Sequence, residues 1–214
     1  MQALRNSDLA KKLRKSQVRY TWGDAHVVYD KPEKILHDTG KKEFHLIPQL
    51  APYMDGLEKE LIIFTPYFVP GKAGTAVLTQ LVERCVRVRI MTNSLSSNDV
   101  GIVHSGYSKY RKPLLCGGIE LYEMNKKLTR EQRKEKKGEG GSSKASLHAK
   151  SFVFDRKHVF IGTLNLDPRS VIHNTEIGVV LTSEEIARKM GTDFDKNIKR
   201  AAFRLELVKN RNGT

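Results

Sequence analysis

The sequence predicts an α/β fold in which a mixed β-sheet carries helices on both faces. Residues 61–64 (LIIF) form a continuous apolar run, which is typical of a buried central strand. Residues 74–84 then repeat apolar side chains at helical spacing, and residues 86–92 alternate them with Arg87 and Arg89, which indicates a half-exposed or edge strand. A strand, a helix and a second strand in this order are typical of a parallel βαβ unit.

Composition narrows the classes of protein to which the chain can belong. At 214 residues it is long enough to bury one sizeable core. It has no apolar run of the ~18 residues that a membrane-spanning helix needs, and residues 1–20 lack the apolar stretch of a signal peptide. Cys85 and Cys116 are too few and too far apart for a disulfide framework, and no Cys/His cluster has metal-ligand spacing. We therefore predict reduced thiols, no metal and no cofactor.

The net charge of +14 predicts an anionic partner, either a phospholipid surface or nucleic acid. Lys, Arg and Gly are dense in residues 125–143, where apolar side chains are scarce. This composition indicates an exposed loop that contacts lipid head groups or a phosphate backbone, or one that only adds solubility. Charge alone does not decide between lipid and nucleic acid.

Three segments are predicted along the chain: an N-terminal helix and linker over residues 1–42, one domain over residues 43–205 and a short tail over residues 206–214. The amphipathic pattern of the first twenty residues indicates a helix that lies on a membrane surface or packs on a folded domain. The remaining predicted elements are a short strand at 25–29, a helix at 49–58, a helix starting near 96, a strand at 118–123, a strand at 176–181 and a closing helix at 183–200.

A β-hairpin is predicted at the cluster of reactive side chains around His148 and Lys150. Residues 147–154 alternate in the manner of a strand, and this spacing lets His148 and Lys150 point into one pocket. Residues 155–157 indicate a turn, the apolar run behind them indicates the returning strand, and Asn165 lies in the polar loop that follows. A Lys ammonium, an Asn amide and a neutral His that acts as nucleophile or proton carrier together predict a phosphate-binding site.

The same stretch resembles the signature of the phospholipase D superfamily. The pattern H-x-K-x4-D-x6-G-T-x-N-x-D-x-R-S is filled at every fixed position between His148 and Ser170. Three further segments are similar to the bacterial cardiolipin-synthase branch of that family: TPYFVP at residues 65–70, VHSGYSKYRK at residues 103–112 and GIELYE at residues 118–123. The resemblance implies a phospholipase D-like α/β domain.

Five residues would carry the chemistry that this resemblance implies. His148 would attack phosphorus to give a phosphohistidine, or else protonate the leaving alcohol, while Lys150 and Asn165 would bind the non-bridging phosphate oxygens. Glu176 falls where the family places an acidic residue that orients the histidine and fixes its tautomer. Asp155 is the fifth, and in this family it is mostly structural.

Four more residues are candidates for binding the substrate. Thr163 and Ser170 either assist phosphate binding or shape the loop around it. Tyr67 belongs to the segment that contributes to the active-site wall in the family, or alternatively to a rigid turn framed by prolines. His104 lies on the predicted amphipathic helix, for which the alternative is a solvated basic face.

Only one H-x-K tripeptide occurs in the sequence, whereas the family's chemistry uses two histidines. The chain then forms a homodimer with a shared site, or is one half of a longer two-motif protein, or has a partner chain that supplies the other half. The linker-like opening favours the second interpretation. We therefore expect weak or absent activity for the isolated monomer.

The function that the resemblance implies is phosphatidyl transfer between phospholipids, of the cardiolipin-synthase type, through a phosphohistidine. The expected partners are anionic phospholipid and a membrane surface, with nucleic acid less favoured. The expected location is the cytoplasm or the periphery of the bacterial inner membrane. Two alternatives stay open: a homodimeric single-motif phosphodiesterase or nuclease, and an inactive half that binds anionic lipid.

Overall fold

The computed structural model describes residues 7–18, 20–36, 41–97, 101–125 and 146–208, so the predicted basic loop lies outside the described residues except for Asn125. In these ranges the strands are β1 (Asp24–Tyr29), β2 (Glu60–Phe64), β3 (Arg87–Asn93), β4 (Glu120–Met124), β5 (Ser151–Phe154), β6 (His158–Gly162), β7 (Ile177–Thr182) and β8 (Ala202–Arg204). The α-helices are α1 (Asp8–Arg14), α2 (Ala51–Asp55), α3 (Gly71–Glu83), α4 (Gly101–Cys116) and α5 (Glu184–Ala201).

The described strands form one mixed sheet in the order β1-β7-β6-β5-β2-β3-β4-β8. Strands β2, β3 and β4 are parallel to one another, and the other neighbouring pairs are antiparallel. Helix α3 connects β2 to β3, which confirms the predicted βαβ unit. The carboxyl ends of β2 and β6 lie beside the amino ends of β5 and β7, so four chain segments meet at one end of the sheet.

Apolar side chains are buried on both faces of the sheet. One core contains Leu61, Ile63 and Phe152 together with residues of α3 and α4. The other contains Ile62 and Val153 together with residues of α5. Neighbouring residues of one strand enter different cores because successive side chains of a strand point to opposite faces. The predicted α/β fold with helices on both faces is therefore confirmed.

Strand β3 is central and buried, so the prediction of a half-exposed or edge strand is wrong. Arg89 is only 2% exposed, and its guanidinium pairs with Glu60 on β2 and Asp195 on α5. Arg156, in the turn after β5, pairs with the same two carboxylates. Burial raises the pKa of Asp195, but the hydrogen bonds from the two arginines outweigh it and lower the pKa below its ordinary value. Because these charges are paired, an arginine is tolerated inside the sheet.

Strands β1 and β8 form the two edges of the sheet. Strand β1 confirms the short strand predicted at 25–29 within the linker, and it pairs antiparallel with β7 along its whole length. Strand β8 follows α5 directly and pairs with β4, although no strand is predicted there. Residues 24–29 therefore belong to the same sheet as the rest of the domain.

Helix α1 is the described part of the predicted N-terminal helix. The Ser7 hydroxyl oxygen accepts the Ala10 N–H at 3.2 Å and so caps the first turn. Leu13 on this helix is 51% exposed. Across the ranges that the structure describes, no helix has the length and apolar character needed to cross a membrane.

Candidate active site

His148 and Lys150 lie directly before β5, in an irregular segment. The strand begins at Ser151 rather than at residue 147, which corrects the predicted boundary. Its pairing with β2 stops here because Ser151 pairs with Phe64, which is the last residue of β2. His148 is exposed and Lys150 is half-buried. The strand that the sequence predicts over residues 147–154 is therefore present only from Ser151 to Phe154.

One hydrogen bond ties this segment to β6, and a second lies within the segment. The Gly162 N–H donates to the Lys150 carbonyl at 3.1 Å, which extends the β5–β6 ladder by one bond. The Lys150 ammonium donates to the His148 carbonyl at 3.2 Å. The imidazole and the ammonium that would perform the predicted phosphate chemistry are therefore held on one short segment at the end of the sheet.

Thr163 joins the ends of β6 and β7. Its N–H donates to the Ile177 carbonyl at 2.9 Å, and its hydroxyl oxygen accepts the Ile177 N–H at 3.0 Å. The side chain therefore replaces a backbone partner and continues the ladder beyond Gly162. Of the two predicted roles for Thr163, these bonds favour shaping the loop.

Asn165 and Ser170 lie in the loop that leaves this end of β6. The Asn165 side-chain N–H donates to the Ser170 hydroxyl at 3.4 Å, and Ser170 is 1% exposed. The Asn165 Oδ1 atom is buried and has no hydrogen-bond partner among the described residues. An unpaired buried polar atom is uncommon in a folded protein, and because Oδ1 is an acceptor only a group with an N–H or O–H could pair with it.

The loop around Asn165 is anchored on the segment that follows β2. The Leu166 N–H donates to the Thr65 hydroxyl oxygen at 3.3 Å, and the Val69 N–H donates to the Leu166 carbonyl at 2.7 Å. Tyr67 lies between these two anchors and is half-buried. The segment in which the sequence predicts an active-site wall is thus in direct contact with the loop that carries Asn165.

Glu176 precedes β7 at the same end of the sheet and is 6% exposed. Its carboxylate accepts the Asn174 side-chain N–H at 3.1 Å. Its backbone is held on both sides by Asp30: the Glu176 N–H donates to the Asp30 carboxylate at 2.8 Å, and the Glu176 carbonyl accepts the Asp30 N–H at 2.8 Å. A residue of the predicted linker therefore fixes the position of Glu176.

Asp30 and Lys34 are two residues near the site that sequence reasoning missed. Their side chains form an ion pair of 2.7 Å and are each 1% exposed. The Asp30 carboxylate also accepts the Leu46 N–H at 2.6 Å, and the Lys34 ammonium also donates to the Ser170 carbonyl at 3.2 Å. The only signal in the sequence is an Asp and a Lys four residues apart, which is too common to indicate a buried pair.

Asp155 lies at the opposite end of β5 from His148. Its carboxylate accepts three backbone N–H groups that lead into β2, from Glu58 at 2.9 Å and from Lys59 and Glu60 at 2.8 Å each. Its φ angle of 49° lies in the left-handed region, which Asp tolerates better than most residues. This geometry supports a structural role, and we leave Asp155 outside the proposed catalytic group.

His104 belongs to a buried polar cluster behind the wall segment. Arg111 lies 3.0 Å from His104 Nε2 and forms an ion pair of 2.5 Å with Glu123 on β4. The ring of Tyr107, which is 2% exposed, packs 5.7 Å from the ring of Phe68. Burial lowers the pKa of His104, and the nearby Arg111 charge lowers it further. Because the His104 ring contacts Arg111 and Tyr107 of its own helix, we leave it outside the proposed substrate-binding group.

Seven of the nine candidate residues thus lie at one end of the sheet, while Asp155 lies at the opposite end of β5 and His104 lies in the buried cluster behind the wall segment. In the part of the chain that the structure describes, no three His, Cys, Asp or Glu residues are grouped as metal ligands would be. The seven are Tyr67, His148, Lys150, Thr163, Asn165, Ser170 and Glu176.

A family model described as cardiolipin synthase, PLD-like domain, matches residues 51–198. This range is more than half of the chain and contains all nine candidate residues. The chain belongs to this phospholipase D-like family. The match begins after β1, so the recognised range does not include Asp30 and Lys34.

Curated relatives of this phospholipase D-like chain are longer than the chain itself. Cardiolipin synthase C of Escherichia coli (strain K12) is 44% identical over 190 residues, which cover 87% of this chain and 39% of that protein. Cardiolipin synthase A of Yersinia pestis bv. Antiqua (strain Angola) is 29% identical over 172 residues, which cover 80% of this chain and 29% of that protein. The chain therefore spans less than half the length of these relatives.

Solved structures share the fold at low sequence identity. The phospholipase D family member Nuc from Salmonella typhimurium has a TM-score of 0.57 at 14% identity, covering 87% of this chain and 100% of that one. Phosphatidylserine synthase from Haemophilus influenzae Rd KW20 has a TM-score of 0.57 at 15% identity, covering 85% of this chain and 40% of that one. At such identities the likeness establishes the fold.

Proposed function

We propose that this chain carries half of the active site of a phospholipase D-type phosphatidyltransferase, which moves a phosphatidyl group from one phospholipid to an alcohol of another. The observation that carries the proposal is the placement of His148, Lys150 and the Asn165 loop at one end of the sheet, in a chain related to cardiolipin synthases. The net charge of +14 supports an anionic substrate and a membrane surface.

The proposed reaction needs two histidines, one as the nucleophile and one as the proton donor, and His148 is one of them. An imidazole nitrogen attacks phosphorus, so an N–P bond forms while the P–O bond to the leaving alcohol breaks, and the second histidine gives that oxygen a proton. The second histidine then takes a proton from the acceptor alcohol, whose oxygen displaces the first histidine from phosphorus. Lys150 and Asn165 bind the non-bridging oxygens, whose charge would otherwise oppose the attack.

The second histidine must come from outside this H-x-K segment. The other six histidines of the sequence all lack a Lys two positions later. The chain also covers only 39% of the length of cardiolipin synthase C, which leaves room in such a protein for a second unit. We therefore propose that a second phospholipase D-like unit, in the same protein or in a second copy of this chain, completes the site.

An exposed apolar stripe supports this second unit. Val27 and Tyr29 of β1 are 59% and 47% exposed, and Ile161 of β6 and Ile177 of β7 are 49% and 53% exposed. They share one face of the sheet because Tyr29 lies opposite Ile177, while Val27 and Ile161 both lie opposite Val179. The stripe reaches the site, since Ile177 follows Glu176, and we propose that the second unit covers it.

The test combines sedimentation with turnover of a chromogenic phosphodiester and of phosphatidylglycerol vesicles. We expect the isolated chain to be a monomer with weak or absent turnover, and His148→Ala to abolish whatever turnover exists. If two copies share one site, mixing wild type with His148→Ala lowers turnover with the square of the wild-type fraction. A monomer with full turnover would contradict the half-site proposal, and turnover that survives His148→Ala would contradict the role of His148.

A second candidate function is favoured by the charge of the chain. A net charge of +14 suits a nucleic-acid backbone as well as a lipid surface. A homodimeric phosphodiesterase would cleave duplex DNA, lose that activity in His148→Ala and leave phosphatidylglycerol vesicles intact. Transfer products from the vesicles without DNA cleavage would select the phosphatidyltransferase.

A further inference from the structure

The side chain of Asn93 joins three segments directly behind His148. Asn93 is the last residue of β3 and is 2% exposed. Its Oδ1 atom accepts the Leu147 N–H at 2.9 Å, and its Nδ2 atom donates to the Leu147 carbonyl at 3.1 Å. Nδ2 also donates to the Pro66 carbonyl at 3.2 Å. The amide therefore uses both its donor and its acceptor capacity on backbone groups.

The two bonds between Asn93 and Leu147 take the place of β-ladder hydrogen bonds, which Leu147 lacks because it precedes β5. Leu147 and His148 lie before β5 begins, so they have no ladder to hold them. The Asn93 amide offers Leu147 a donor and an acceptor side by side, as a neighbouring strand would. The carbonyl of Lys150, on the other side of His148, is held by the Gly162 N–H. His148 is thus flanked on both sides by residues that are tied to the sheet.

The third bond connects the histidine segment to the wall segment. Pro66 precedes Tyr67, and the same stretch contacts the Asn165 loop through Thr65 and Val69. A shift of Asn93 would therefore change the spacing between His148 and the residues around Asn165. In the proposed mechanism these groups act on the same phosphate, and misplacement by about 1 Å reduces turnover strongly.

We infer that Asn93 is a positioning residue for His148, which it holds through the backbone of Leu147. The inference rests on the proposed role of His148 in the reaction. Asn is suited to this position because Asp has no donor for the two carbonyls and Leu has neither a donor nor an acceptor. The family-type motif does not include Asn93, which lies 55 positions before His148 in the sequence.

The neighbouring residue Thr92 provides a matched control. It is also 2% exposed, and its hydroxyl donates to the same Pro66 carbonyl at 3.4 Å. No hydrogen bond links its side chain to Leu147 among those of the described residues. Thr92→Val is close to isosteric, so it removes a buried bond from the same strand without touching the histidine segment.

The test measures amide hydrogen exchange at Leu147 and turnover in Asn93→Leu, Asn93→Ser and Thr92→Val, at a temperature where each variant is folded. We expect exchange at Leu147 to rise about tenfold or more in both Asn93 variants and to stay unchanged in Thr92→Val. In an assembly that contains the second unit and therefore has measurable turnover, we expect kcat to fall about 10- to 100-fold in the Asn93 variants with little change in KM, while Thr92→Val keeps the wild-type kcat.

Two results would overturn the inference. One is unchanged exchange at Leu147 in both Asn93 variants, and the other is an equal loss of kcat in Thr92→Val. The His148→Ala chain separates this failure from that of the proposed function. If wild type turns over substrate and His148→Ala retains all of that turnover, the proposed function fails, whereas the exchange rate at Leu147 still reports whether Asn93 holds the segment.

Discussion

Asp30 and Lys34 form a buried ion pair that contacts the backbone of Glu176 on one side and that of Ser170 on the other. Lys34→Met would leave the Asp30 carboxylate buried without its countercharge. We expect the free energy of unfolding, measured in urea, to fall by about 3 kcal/mol, because an uncompensated buried charge is costly.

The double variant Asp30→Asn/Lys34→Met separates charge from packing. It removes the unpaired charge of Asp30 but keeps a side-chain oxygen that can accept either the Leu46 N–H or the Glu176 N–H. We therefore expect it to be more stable than Lys34→Met alone. A double variant that is less stable than the single one would show that the charge itself is not the cause.

Asp155 is expected to act on stability rather than on turnover. Asp155→Ala removes the acceptor of three backbone N–H groups and places Ala at a φ angle of 49°. We expect a loss of about 2–4 kcal/mol in urea unfolding, with a smaller loss in Asp155→Asn, which retains one oxygen and tolerates this φ angle. Turnover per folded molecule should fall far less than in His148→Ala, and an equal loss would place Asp155 in the reaction.

The pairing of Asp195 with Arg89 and Arg156 predicts a dependence of stability on pH. The folded state lowers the pKa of Asp195, so the pairing contributes fully above the unfolded pKa of about 4 and is lost as the pH falls through the folded pKa. Asp195→Asn should therefore be less stable than wild type at pH 7, and the difference should shrink below about pH 4. A difference that stays constant from pH 7 to about pH 3 would contradict this assignment.

Gly178, which pairs with Gly162 at the site end of the sheet, has no room for a side chain. A Cβ atom there would lie 2.2 Å from the ring of Phe160, which is fully buried. We expect Gly178→Ala to lose about 2–3 kcal/mol in urea unfolding. Gly101→Ala, where a Cβ atom meets nothing within 4 Å, is the control and should change stability by less than about 1 kcal/mol. Equal stability of the two variants would rule out the steric argument.

Local pattern was sufficient to predict the sheet and most of its helices. The apolar run of β2, the helical spacing of α3 and the hairpin of β5 and β6 are each specified by neighbouring residues in the sequence. Arg89 misled the prediction for β3 because its partners, Glu60 and Asp195, are 29 and 106 positions away. Strand β8 has only three residues, too few for a periodic signal.

Residues of the candidate site were predicted where they belong to one local motif. They were missed where they contact the site from positions that are distant in the sequence. His148, Lys150 and Asn165 stand within one motif, so their meeting at one end of the sheet follows from a hairpin and the loop behind it. Asp30 reaches Glu176 across 146 positions and Asn93 reaches Leu147 across 54. Nothing in the local sequence of either residue distinguishes it from an ordinary turn or strand residue.

Strand β1 covers the outer edge of β7, although it lies outside the residues that the family model matches. A protein begun at residue 51, where the family match starts, would expose the unpaired N–H and C=O groups of β7. Next to them it would still present Ile161 and Ile177. An open, apolar strand edge is a template for intermolecular pairing, so such a fragment would tend to aggregate, and β1 protects the chain against it.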